Sequence, residues 1–120
     1  MILENSGPGM VRKFPGNLMT EKYSLNQIWI RGCKGEDLST PDFEHFKGLA
    51  RSRFHTFNMS ASHAKQERSE GEAESWINGL VAGLVRELKE SPGLERQWYQ
   101  SEFTNFYYGQ LVNLALSKVG

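Results

Sequence analysis

The feature that most constrains the fold is a helical repeat of apolar residues that follows Ser69. Each apolar residue of the repeat except the last has another one three or four residues further along the chain. The repeat consists of Ala73, Trp76, Ile77, Leu80, Val81, Leu84, Val85 and Leu88. This spacing puts the apolar side chains on one face of an α-helix with 3.6 residues per turn. Ser69 and Glu72 stand three residues apart before the repeat, which is the arrangement of a capping box. The sequence therefore predicts an amphipathic helix that is capped by Ser69 and buries one face in a core.

A second repeat of the same kind lies upstream, after Thr40 and Pro41. Threonine can cap a free backbone amide, and proline fits the first helical position, where its missing N–H costs nothing. The apolar positions that follow are Phe43, Phe46, Ala50, Phe54, Phe57, Ala61 and Ala64. This pattern predicts a long helix from Thr40 to about residue 66.

Another helix is expected before this repeat. Asn17 or Thr20 is the candidate for its N-terminal cap, and the helix is predicted to run to about Arg31. Gly32 and Gly35 follow, and glycine is common where a helix ends because it adopts a left-handed backbone conformation at little cost.

Two further helices are predicted after the long repeats. The Ser-Pro-Gly segment at 91–93 ends the third helix and opens a short fourth helix that contains Leu94 and Trp98. A fifth helix is expected from about Ser101 to Lys118, and its apolar residues spread over more than one stripe.

No stretch alternates with a period of two, so the prediction is an all-α fold. We expect an antiparallel bundle of about four to five helices that forms one domain over residues 17–120. Residues 1–16 contain Gly7-Pro8-Gly9 and Pro15-Gly16 and are predicted to form an irregular N-terminal arm.

Composition narrows the classes of function. The chain of 120 residues has 14 basic and 14 acidic side chains, whereas binding to nucleic acid phosphates favours a basic excess. No segment approaches the ~20 continuous apolar residues of a membrane span. Cys33 is the only cysteine and has no partner for an intramolecular disulfide, which is typical of a reducing compartment. We therefore expect a cytoplasmic protein that binds neither nucleic acid nor membrane.

Residues that often serve in catalysis are present but poorly placed for it. His45, His55 and His63 lie on the same predicted helix at gaps of ten and eight residues, whereas a metal site on one helix favours a gap near four. Cys33 follows a predicted helix C-terminus, where the helix dipole disfavours a thiolate. The nucleotide-binding and nucleophile-elbow glycine motifs are absent. The prediction is a protein without catalytic residues, metal or cofactor.

The basic cluster around Arg51 and Arg53 is expected to solvate the outer face of its helix. Pairing with glutamates of the third helix is the interaction predicted for it.

Large aromatic side chains are the remaining candidates for a functional surface. Most of them are expected in the core, because burying an aromatic ring contributes strongly to stability. Tyr107 and Tyr108 are adjacent and cannot both face inward. An oligomer interface or an apolar ligand pocket is the alternative use for the surplus rings, and the candidates are Trp76, Trp98, Tyr99, Phe106, Tyr107 and Tyr108.

Several landmarks occur together in one order along the chain. They are Ile28-Trp29-Ile30-Arg31-Gly32, then Leu38-Ser39-Thr40-Pro41 before a Phe-rich helix with Arg53-Phe54, then Ser91-Pro92-Gly93-Leu94, and then Trp98. In this the chain resembles an uncharacterised family of small bacterial all-helical proteins. Members of that family usually begin with a membrane-anchor helix, followed by a helical domain similar to residues 18–110 here.

The chain departs from the family pattern in two places. Residues 1–16 stand where the family has its anchor helix, so membrane attachment is not expected here. The segment after Trp98 is shorter, which affects how the last helix packs. The resemblance implies the helical fold and assigns no activity.

Two functions follow as hypotheses. The first is a non-enzymatic interaction module that self-associates or docks a protein partner through an aromatic-rich apolar face. The alternative is a small-molecule-binding domain with an aromatic-lined pocket between helices.

Overall fold

The computed structural model describes residues 23–119, and these form an all-α bundle without β-strands. The helices are α1 (Leu25–Lys34), α2 (Thr40–Glu67), α3 (Glu70–Glu90), α4 (Pro92–Gln100) and α5 (Tyr107–Val119), with a 3₁₀ turn (Glu102–Asn105) before α5. The predicted fold class is confirmed. The predicted arm lies outside the described residues.

The hairpin of α2 and α3 forms the frame of the bundle. α2 has 28 residues, which corresponds to about 42 Å at the rise of an α-helix. The chain reverses at Arg68 and Ser69, and α3 returns along α2. The two predicted stripes supply most of the buried residues of this hairpin: Phe46, Ala50, Phe54, Phe57, Ala61 and Ala64 on α2, and Ala73, Ile77, Val81, Leu84, Val85 and Leu88 on α3.

Two members of the predicted stripes are exposed. Phe43 lies in the first turn of α2 and is 40% exposed, and Trp76 is 50% exposed. Trp76 follows Ala73 by three residues, which turns it to the edge of the buried arc of α3. The two repeats therefore predict both helices correctly, but not every residue of each apolar stripe is buried.

Serine residues begin the first three described helices. Ser69 accepts a hydrogen bond from the amide of Glu72, as predicted, but the reciprocal half of the capping box does not form, because the Glu72 carboxylate accepts from the Ser69 hydroxyl instead of from its amide. At α2 the cap is Ser39, whose hydroxyl accepts from the amide of Asp42, and Thr40 is the first helical residue instead of the predicted cap. Ser24 and Gln27 form a reciprocal capping box at α1.

α1 differs from its prediction at its C-terminus. The helix continues past Arg31 through Gly32 and ends at Lys34, and Gly35 adopts the left-handed conformation with φ 82°. Gly32 is buried inside the helix because the ring of Phe46 occupies the space that a side chain there would need. The predicted cap positions, Asn17 and Thr20, lie outside the described residues.

The segment predicted as one helix from Ser101 to Lys118 is two elements. The 3₁₀ turn ends at Phe106, which has an extended backbone, and α5 then begins at Tyr107. The turn places the Phe103 ring 6.4 Å from that of Phe54, in the core. A continuous helix would separate these rings, so core packing overrides the local helical preference of this segment.

Glycines permit two contacts between backbones in this part of the fold. A Cβ atom on Gly93, at the start of α4, would lie 1.8 Å from the carbonyl oxygen of Gly32 in α1. A Cβ atom on Gly109 would lie 1.7 Å from the carbonyl oxygen of Phe103. These close approaches fix α1 against α4 and α5 against the 3₁₀ turn.

Candidate functional site

The six aromatic residues singled out from the sequence lie in three different environments. Trp98 is in the core, Trp76 lies near the hairpin turn, and the others are on or near α5 and the end of α4. The structure therefore does not bring all six into one surface.

Trp98 is fully buried and takes part in a polar network. Its ring packs edge-to-face on Phe54 at a centroid distance of 5.0 Å, and its Nε1–H donates to Oδ1 of Asn113 at 2.8 Å. The Asn113 amide Nδ2–H in turn donates to the carbonyl oxygen of Thr104 at 3.1 Å. These bonds join α4, the 3₁₀ turn and α5, so Trp98 organises the core and is not available to a partner.

α5 is apolar on two opposite faces. Its inner face contains Gly109, Val112 and Leu116, which are buried. Tyr107 and Leu114 point the other way and are 71% and 57% exposed. Since helical residues advance by 100° per position, these two lie roughly 170° from the centre of the buried face.

The exposed side of α5 forms a stripe that we call the outer stripe. Its residues are Tyr107, Leu111, Leu114 and Lys118, separated by steps of four, three and four. Leu111 is half-buried and also contacts the core. The sequence indicates the surplus of apolar residues on this helix. Leu111 and Leu114 are not among the predicted site residues, because those are all aromatic.

The other predicted aromatics lie near the start of α5. Tyr108 is half-buried against the core and meets the ring of Tyr107 edge-to-face at 5.2 Å. Phe106 is exposed on one side and packs on Phe103, also at 5.2 Å. Tyr99, at the end of α4, is exposed. The expectation that Tyr107 and Tyr108 face differently is confirmed.

Trp76 lines a separate surface cleft near the hairpin turn. The guanidinium of Arg68 lies over its ring, 4.1 Å from the centroid. The cleft has a volume of about 470 Å³ and is lined by Arg68, Glu72, Ser75, Trp76, Gly79 and Leu80. A smaller depression of about 200 Å³ adjoins it on the α2 side and shares Arg68 and Trp76. This cleft combines an aromatic ring, a cation and a carboxylate.

Cys33 is a poor nucleophile in this fold. The pKa of its thiol is raised to about 11, chiefly by partial burial and also by the charge of Glu87, although a hydrogen bond with Ser91 acts in the opposite direction. The thiol is thus protonated at neutral pH, and catalysis by a thiolate requires the deprotonated form.

The histidines are exposed at three positions along α2. Within residues 23–119 no group of three or more His, Cys, Asp or Glu side chains is arranged to hold a metal ion.

The two arginines of the basic cluster each form an ion pair. Arg53 binds Glu87 of α3 with both Nε and Nη2, at 3.0 and 2.8 Å, which confirms the predicted pairing with the third helix. Arg51 pairs instead with Glu102 in the 3₁₀ turn. This hydrogen bond holds the pKa of the Glu102 carboxyl below its ordinary value. The cluster therefore joins elements of the bundle.

None of the helices within residues 23–119 is long and apolar enough to cross a membrane. The chain was compared with protein-family models, with curated proteins and with solved structures, and no match was found in any of the three.

Proposed function

We propose that this protein is a non-enzymatic interaction module that self-associates through the outer stripe of α5. The observation that supports the proposal most strongly is that α5 has an apolar face in the core and a second one at the surface. Tyr107 and Leu114 together expose a large ring and a branched aliphatic side chain on one short helix. Removing such surface from water contributes roughly 25 cal/mol per Å².

The charges of α5 favour a second copy of the chain as the partner. The helix contains no acidic residue, and Lys118 is its only charged residue. A twofold interface pairs one patch with a second copy of itself, so a patch of this kind must avoid like charges near its centre. A nearly uncharged stripe satisfies this requirement, because no like charges are forced into contact at its centre.

The proposal is tested by light scattering coupled to size-exclusion chromatography over a roughly hundredfold range of concentration, because a dimer forms by mass action. We expect the mass to rise from monomer to dimer. Leu114→Asp places a charge in the stripe and is expected to keep the protein monomeric. Met59→Asp replaces an exposed apolar residue on the outer face of α2 and serves as the matched control, with self-association unchanged. A monomer at every concentration would contradict the proposal.

A second candidate function is supported by the cleft at Trp76. A planar aromatic ligand with an anionic group would match it, with its ring against Trp76 and its charge near Arg68. Trp76 is the most exposed of the three tryptophans, so ligand binding should alter the emission of the exposed indole.

The aromatic sulfonate 1-anilinonaphthalene-8-sulfonate is a suitable probe for this cleft. Binding that saturates in the native protein and is lost in Trp76→Ala supports the second function. Equal binding to Trp76→Ala and to a Met59→Ala control would rule it out.

The resemblance and the single cysteine support a bacterial, cytoplasmic origin as part of the proposal. A free, half-buried thiol is typical of a reducing compartment.

A further inference from the structure

We propose that two copies pair through antiparallel α5 helices in one defined register. Leu111 of each copy faces Leu114 of the partner subunit, and Tyr107 of each copy faces Lys118 of the partner subunit. This inference rests on the proposed function, since it names the geometry and the partner of the same surface. It adds a register and a cation–π contact that self-association alone does not require.

The spacing of the outer stripe carries the register. Its residues are separated by steps of four, three and four, which is the alternation found along the seam of a coiled coil. The order of these steps is the same from either end. A second helix laid antiparallel on the first therefore brings all four positions into opposition at once, with the two leucines at the centre and the tyrosine and lysine at the ends.

The ends of the stripe distinguish antiparallel from parallel pairing. In a parallel pair, Lys118 would oppose its own copy, which places like charges together. In the antiparallel pair, Lys118 lies over Tyr107 of the partner subunit, where an ammonium group is attracted to the face of the ring. The two helix dipoles also oppose one another in this arrangement.

The same kind of contact occurs on exposed rings of the monomer. The ammonium of Lys47 lies 5.4 Å from the ring centroid of Phe43, and the guanidinium of Arg68 lies 4.1 Å from that of Trp76. Cationic side chains of this protein thus settle on exposed rings when one is in reach.

The length of the stripe sets the strength of the dimer. It spans 11 residues, which is about 17 Å at the rise of an α-helix. This is short for a stable interface, and interfaces below about 1,200 Å² of buried surface are typical of weak or transient complexes. We therefore expect a dimer that dissociates on dilution, with a dissociation constant of micromolar order or weaker.

The register is tested by charge placement, with sedimentation equilibrium as the measurement. Tyr107→Glu sets a carboxylate against Lys118 of the partner subunit and is also acceptable at a helix N-terminus. We expect it to keep the dissociation constant within about threefold of the native value and to make it more salt-dependent, because an exposed ion pair replaces the cation–π contact. Lys118→Glu alone should weaken the dimer a few-fold, and the double variant tenfold or more, through like charges at both ends.

A parallel pair gives the opposite order. In a parallel pair, Tyr107→Glu alone would place two glutamates together and break the dimer. Adding Lys118→Glu would then cause no further loss of dimer affinity. This order of effects overturns the register while self-association stands. So do equal effects of the two single variants with no further loss of dimer affinity in the double variant. A native protein that stays monomeric overturns the proposed function together with it.

A cross-linking experiment gives an independent answer if a charged variant alters the fold. In a Cys33→Ser background, Leu111→Cys and Leu114→Cys proteins are mixed and oxidised. The mixed disulfide should form faster than the disulfide of either homodimer. In the proposed register, position 111 faces position 114 of the partner subunit, and neither position faces its own copy. Equal rates for all three pairs contradict the register.

Discussion

The core region around Trp98, which we call the base of the bundle, and the outer stripe of α5 are both rich in apolar residues. They differ in how the positions of those residues are fixed. At the base, Trp98 and Phe54 are locked by ring packing and by hydrogen bonds, and Gly93 allows two backbones to touch. On the outer stripe, Tyr107 and Leu114 are also large apolar side chains, but they remain exposed. The difference shows that α5 uses one apolar face in the core while an opposite apolar face of the same helix stays at the surface.

The largest effect is expected where α1 touches α4. Gly93→Ala places a Cβ atom against the carbonyl oxygen of Gly32, so the two helices must separate. Overpacking typically costs about 1–3 kcal/mol and occasionally more, and we expect the upper end of this range because the contact is with a backbone atom. Gly48→Ala is the matched control, since nothing lies within 4 Å of its new Cβ atom, and it should stabilise the helix by about 0.5–1 kcal/mol. Urea unfolding of both variants measures the contrast, and equal stabilities would show that the contact is not tight.

A pair of leucines on α5 compares the two faces directly. Leu116→Ala creates a cavity in the core and should lower the free energy of unfolding by about 2–3 kcal/mol. Leu114→Ala should change it by less than about 0.5 kcal/mol in the monomer, because the side chain is mostly exposed. Thermal or urea unfolding at low concentration separates them. Similar losses in both variants would mean that the outer stripe is part of the core.

The polar network at the base predicts a smaller effect. Asn113→Ala removes the acceptor for the buried Trp98 Nε1–H and the donor to the Thr104 carbonyl. A buried group that is left without a partner costs about 1–3 kcal/mol. Gln110→Ala, at an exposed position of the same helix, is the control and should be close to neutral. If Asn113→Ala is also neutral, water replaces the network.

The smallest effect concerns pH. The pKa of the Cys33 thiol is raised to about 11 from an ordinary value of 9.0, so the folded state holds this proton more tightly than the unfolded state. Its contribution to stability is therefore complete below pH 9 and is lost as pH rises towards 11. A Cys33→Ala variant should lack this component of the alkaline decline in stability. Slow alkylation of the native thiol at pH 8 is the companion observation, and rapid alkylation there would contradict the raised pKa.

The sequence was sufficient for the two long helices because their patterns are local. Periodic apolar residues and the Ser69 cap indicate where α3 begins, and the repeat after Pro41 indicates α2, although its cap is Ser39 and not the predicted Thr40. The break at Phe106 could not be predicted in this way. The residues from Ser101 onwards are compatible with a helix, and only the contacts of Phe103 and Gly109 with distant residues favour the 3₁₀ turn.

Glycine shows the same limit on a smaller scale. The sequence around Gly32 predicts a helix end, but Gly32 lies inside α1 because Phe46 packs on it. At the candidate site, a prediction based on aromatic residues includes Tyr107 and Tyr108 but omits Leu111 and Leu114. Which of two apolar faces of α5 reaches the core depends on how the helix docks, and spacing alone does not contain that information.

The central claim is that the outer face of α5, and no other apolar surface, meets a second copy of the chain. Backbone amide spectra of isotope-labelled protein, recorded over a dilution series, test it most directly. We expect concentration-dependent shifts concentrated at 107–118, with Met59 and the residues around it on α2 unaffected. Spectra that do not change with concentration, or shifts centred on another helix, would contradict it.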